Sequence, residues 1–180
     1  IVGVIGASGD GKTFLALDMA CHASQGIPWF GYRTHAGHWI YVCLEGFYGM
    51  ANRVQAIQKT KPYLAESKIY VTPFPLNLME RASCIDFVRN IKNKFESISA
   101  IVIDTFHAAT PGCAENDAES MGRAMDNVRY LRSELCSAIV LIHHLGKDHT
   151  RGARGHSSFK AALDSELTIQ RNGKVKVLRA

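Results

Sequence analysis

Short apolar runs alternate along this chain with longer segments of helical periodicity. "IVGVI" (1–5), "HWIYVCL" (38–44), "AIVID" (100–104) and "AIVLI" (138–142) are rich in β-branched residues and predict buried strands. A shorter run, "KIYVT" (68–72), sits in an irregular stretch punctuated by Pro62, Pro73 and Pro75. "KTFLALDMACHAS" carries apolar positions at helical spacing and stops before Gly26, a suitable C-terminal cap. "MANRVQAIQ", "CIDFVRNIKNKF" and "AESMGRAMDNVRYLRSEL" predict three more helices. Asn116, with Glu119 three residues later, predicts a capping pair for the last. The tail "ELTIQRNGKVKVL" reads as two strands around Asn172-Gly173, a strong hairpin signal. This alternation predicts an α/β fold: a mainly parallel central sheet flanked by helices, with a C-terminal antiparallel hairpin.

No internal repeat, low-complexity segment or linker divides the chain, so residues 1–180 are expected to form a single domain. Ile1 already stands inside an apolar run, and the expectation is a domain excised from a longer protein. No apolar run approaches the ~18 residues of a membrane span, and no signal-peptide pattern opens the chain. Cys21, Cys43, Cys84, Cys113 and Cys136 are scattered without a C-x-x-C pair, as expected of thiols in a reducing cytoplasm. Charge is unevenly placed. Residues 143–180 hold eight Lys and Arg against three Asp and Glu, the chain's whole excess of five. A basic excess at one end points to a phosphate or nucleic-acid surface, with a solvated basic face as the bland alternative.

One motif points to a nucleotide, though it does not by itself reveal the activity. Gly6-Ala7-Ser8-Gly9-Asp10-Gly11-Lys12-Thr13 fits G-x-x-x-x-G-K-[ST], with a strand before it and a helix after. Glycines let successive backbone N–H groups turn toward phosphate oxygens, and the helix N-terminus adds positive potential. Lys12 is expected to neutralise β- and γ-phosphate charge, and Thr13 to help hold Mg²⁺. These residues and Phe14 form the expected nucleotide-binding set. A glycine-rich turn with a chance lysine would not need all four fixed positions in this context.

The other strand-like runs end in Glu45, Asp104 and His143-His144. In a parallel sheet, ligands bind beyond the carboxyl ends of the strands. Asp104 after "AIVI" fits a carboxylate that holds Mg²⁺, and Glu45 a general base for the attacking water. Each residue alone has an ordinary structural explanation; their coincidence at one edge points to nucleotide hydrolysis. Paired histidines raise the question of a metal, but neighbouring strand residues diverge and nothing completes a ligand set.

With these residues in place, the chain resembles the RecA-like P-loop ATPases. Among them it looks most like the RepA-type hexameric replicative helicases of plasmids and phages. The resemblance spans "GASGDGKT", "YVCLEG", "IVIDT", "AENDAESMG", "LIHHLGKD" and "RGARGHSSFKAALDSELTI". It implies ATP as the nucleotide, Glu45 as catalytic base, Asp104 at the metal site and His144 as γ-phosphate sensor. It also implies that "GKDHTRGARGHSS" is a central-channel loop, with Lys147, Arg151 and Arg154 on single-stranded DNA. That loop lacks an aromatic platform, so backbone contact with little sequence preference is expected. A ring-forming homo-oligomer, a hexamer, would complete each site with a basic residue from its neighbour, for which Arg53 and Arg179 are the candidates. The implied setting is the cytoplasm of a bacterium carrying a plasmid or phage. Alternatives are a RecA-like DNA-binding ATPase that does not unwind, a small phosphotransferase, and a nucleotide-gated binding module.

Overall fold

Strands that are apolar on both sides must be covered on both sides. In the computed structural model, which describes residues 1–113, 117–144, 159–172 and 175–179, the chain meets this demand with three layers. The elements are β1 (Val2–Gly6), α1 (Lys12–Gln25), β2 (Trp39–Cys43), α2 (Met50–Thr60), β3 (Ile69–Thr72), α3 (Arg81–Lys92), β4 (Ala100–Asp104), α4 (Ala118–Leu135), β5 (Ala138–His144), β6 (Ser165–Asn172) and β7 (Val175–Arg179). Short 3₁₀ turns stand at Phe47–Gly49 and Pro62–Leu64.

The sheet runs β3-β2-β4-β5-β1-β6-β7. Every neighbouring pair is parallel except β6 with β7, the C-terminal antiparallel pair. Side chains alternate between faces. Ile40, Val42, Ile101, Ile103, Ile139 and Leu141 join α3 and α4 in one buried cluster. Trp39, Tyr41, Cys43, Ala100, Val102, Val140 and Ile142 join α1 and α2 in the other. The same parity sends Asp104 and His144 to the α1 face, and His143 to the opposite one.

Gly26 closes α1 in the left-handed conformation at φ 74°, as its sequence predicts. Two boundaries differ from expectation. The cap of α4 is Asp117, whose carboxylate accepts from Ser120 N at 2.8 Å, whereas Asn116 lies outside the described residues. Helix α3 begins at Arg81, three residues before the apolar stripe of Cys84, Phe87, Val88 and Ile91, because its polar first turn leaves no periodic mark.

Phe106 is 1% exposed and packs under the end of β5, with ring centroids 5.0 Å from Phe159 and 5.9 Å from His143. Phe106→Ala is expected to cost about 3–5 kcal/mol, read as a lower urea midpoint at unchanged slope. An unshifted midpoint would contradict this placement.

Candidate functional site

The site begins with a turn that only glycines allow. Gly9 and Gly11 hold φ of 81° and 92°, the left-handed region, and Gly11 leads directly into α1. Asp10 ties the loop together by accepting from Ala7 N at 3.0 Å. A Cβ on Gly6 would meet Ile169 O at 2.9 Å, so β6 backs the loop closely. Lys12, the first residue of α1, is 4% exposed. Its Nζ donates to Gly6 O at 2.9 Å and Ala7 O at 2.8 Å, and lies 2.8 Å from His144 Nδ1. Burial lowers the Lys12 pKa, and the charges of Asp10, Asp104 and Glu45 oppose that shift.

The order β2-β4-β5-β1 makes the four site-bearing strands consecutive. Asp104 ends β4 at 3% exposure, and its Oδ2 accepts from Thr13 Oγ1 at 2.8 Å and from Tyr41 OH at 2.6 Å. Burial pushes the Asp104 carboxyl up from its ordinary value; the Tyr41 and Thr13 hydrogen bonds pull the other way. Burial also drives the Tyr41 phenol well up, with the Asp104 charge adding to it, so Tyr41 stays a donor. The Asp104–Thr105 peptide is cis. Thr105 accepts from Ala108 N at 3.2 Å and donates to Glu45 Oε1 at 3.2 Å, joining the end of β4 to the exposed Glu45 beyond β2.

His144 closes the set from β5. An ammonium only donates, so its Nδ1 accepts from Lys12 and a neutral ring carries its proton on Nε2. Burial lowers the His144 pKa, and the Lys12 charge adds to the effect. His143 turns away to stack on Phe159, ring centroids 4.6 Å apart. The two histidines therefore share no ligand position.

Gly9, Gly11, Lys12, Thr13, Phe14, Glu45, Gly46, Arg53, Asp104, Thr105 and His144 line one cleft of about 340 Å³. Phe14 stands at its rim, 47% exposed. Arg53, expected as a residue offered to a neighbour, lines its own chain's cleft. Its guanidinium lies over Gly46, where a Cβ would come within 3.4 Å of Nη2, and it makes no ion pair among the described residues. Arg179 is exposed on β7, the outer edge strand, two strands from β1. Lys147, Arg151 and Arg154 lie outside the described residues. Tyr41, Thr105 and the own-chain position of Arg53 escaped the sequence reading, because each depends on strand register or a loop path rather than on a motif.

No group of three His, Cys, Asp or Glu able to hold a metal occurs among the described residues. Thr13 and Asp104 nevertheless fit Mg²⁺. The ion takes hard oxygen donors, keeps several waters, and needs only one or two protein ligands when phosphates supply the rest.

The depressed His144 pKa has a consequence for stability. As pH falls through about 6.5, the ordinary histidine value, the unfolded chain binds a proton before the folded one. Stability from the neutral ring is present above that value and lost below it. The melting temperature of the wild type should drop more between pH 7.5 and 5.5 than that of His144→Gln. Equal drops would contradict the assignment.

A model of the family described as "AAA domain" matches residues 1–150, most of the chain. No curated protein sequence matches. Among solved structures, an ATPase domain superposes with a TM-score of 0.63 at 12% identity, covering 94% of this chain and 69% of that one. The RadB recombinase superposes with a TM-score of 0.62 at 18% identity, covering 98% and 79%. With a phosphate loop on β1 and its partner residues on three adjoining parallel strands, this chain belongs to the AAA domain family and has the fold of the RecA-like ATPases.

Proposed function

We propose that this chain is the ATP-hydrolysing motor domain of a ring-forming helicase that acts on single-stranded DNA in replication. The observation that carries the reading is the convergence of Lys12, Glu45, Asp104 and His144 on one cleft above a phosphate loop. In this reading the loop N–H groups and Lys12 hold the β- and γ-phosphates. Glu45, steadied by Thr105, takes a proton from the water that attacks the γ-phosphorus as the bond to ADP breaks. Thr13 and Asp104 would hold Mg²⁺, which when bound neutralises charge growing on the phosphate oxygens. His144 offers its Nε2–H to the γ-phosphate. Arg53 reaches the same phosphates from its own chain, which leaves Arg179 as the basic residue for a neighbour's site in a hexamer.

Residues 145–158 follow His144 directly, so in this reading the side chain that senses the γ-phosphate adjoins in sequence the segment with Lys147, Arg151 and Arg154. Those cations are proposed to grip DNA phosphates, with release tied to hydrolysis. Among the described residues, no helix is long and apolar enough to cross a membrane. The fold likeness to a recombinase favours one further reading, a RecA-like ATPase that binds DNA without unwinding it.

The test is ATP hydrolysis with and without single-stranded DNA at low salt. DNA should stimulate turnover, and Arg151→Ala with Arg154→Ala should remove the stimulation. Glu45→Gln should keep nucleotide binding and lower turnover by about 10²–10⁴-fold. Turnover indifferent to DNA, from a protein that also fails to bind DNA, would overturn the motor reading. Strand displacement then separates a helicase from a DNA-binding ATPase.

A further inference from the structure

Tyr41 opens the "YVCLEG" stretch without a role assigned to it, yet it is fully buried with its hydroxyl on Asp104. Burying a phenol hydroxyl costs free energy unless it finds a partner, and phenylalanine would fill the same volume without that demand. The partner is Asp104 Oδ2, at 2.6 Å. Register explains the reach. Tyr41 pairs with Val102 and Cys43 with Asp104, so Tyr41 and Asp104 project from one face, a diagonal step apart.

Thr13 Oγ1 donates to that same Oδ2 at 2.8 Å. Two hydroxyl donors occupy one oxygen's acceptor positions, and Oδ1 makes no hydrogen bond among the described residues. Thr13, however, sits on the phosphate loop and is itself an expected Mg²⁺ ligand. Were Thr13 to turn to such an ion, Tyr41 would be the donor left on the carboxylate.

We infer that Tyr41 is a positioning residue of the magnesium site: its hydroxyl anchors one oxygen of Asp104 from the packed side, leaving the other for the hydration shell of the nucleotide-bound ion. The inference rests on the proposed ATPase reading. It assigns Tyr41 no contact with substrate.

The test needs no turnover. Binding of a fluorescent ADP derivative is measured across a Mg²⁺ titration, for wild type, Tyr41→Phe and Val102→Ala. Tyr41→Phe should raise the Mg²⁺ concentration for half-maximal effect by roughly tenfold and leave metal-free nucleotide affinity unchanged. Val102→Ala, which loosens packing on the same face, should lower the melting temperature without moving the Mg²⁺ midpoint. A Tyr41→Phe midpoint equal to wild type overturns the inference and leaves the ATPase reading intact. A Val102→Ala midpoint shifted as far as that of Tyr41→Phe overturns it too, since packing would then be the cause. Wild-type binding indifferent to Mg²⁺ overturns both readings together.

Discussion

A lysine ammonium held at 4% exposure is the constraint around which this molecule is arranged. Burying a cation is unfavourable unless its donors and its charge are both answered. All three Nζ donors of Lys12 are taken, two by carbonyls of its own loop and one by His144. Its charge is answered by Asp10, Asp104 and Glu45, which come from the loop and from the ends of two other strands. A phosphate chain brings the same kind of compensation, negative charge with acceptor oxygens, to the same point.

Holding those groups in place falls to the sheet. Its strands are sealed on both faces by separate apolar clusters, so none can slip by one residue without turning its core side chains to the wrong side. That two-residue period puts Tyr41, Asp104 and His144 on the α1 face. It also puts His143 among Phe106 and Phe159 on the other. One strand end thus anchors a histidine of the cleft on one face and an aromatic cluster on the other.

Legibility in the sequence followed locality. The phosphate loop could be read outright because its residues are contiguous and its flanking strand and helix are strongly patterned. Glu45, Asp104 and His144 could be read because each closes or follows an apolar run, which places them at one edge once the sheet is parallel. Tyr41 and Thr105 could not, since their roles depend on which strands are neighbours and in what register. Arg53 shows the same limit: its spacing from Glu45 makes it a candidate, but only the fold brings its guanidinium beside Gly46 and into the lining of this cleft. Asn116 and Asp117 are both good caps, and the backbone chose the second.

If Lys12 and His144 together recognise a terminal phosphate, the protein must discriminate between nucleotides with and without one. Competition binding would compare ADP with a non-hydrolysable ATP analogue, both with Mg²⁺, on wild type and His144→Ala. The wild type should favour the triphosphate, and His144→Ala should lose this preference while keeping its affinity for ADP. A preference untouched by the substitution, or an equal loss for both nucleotides, would contradict it.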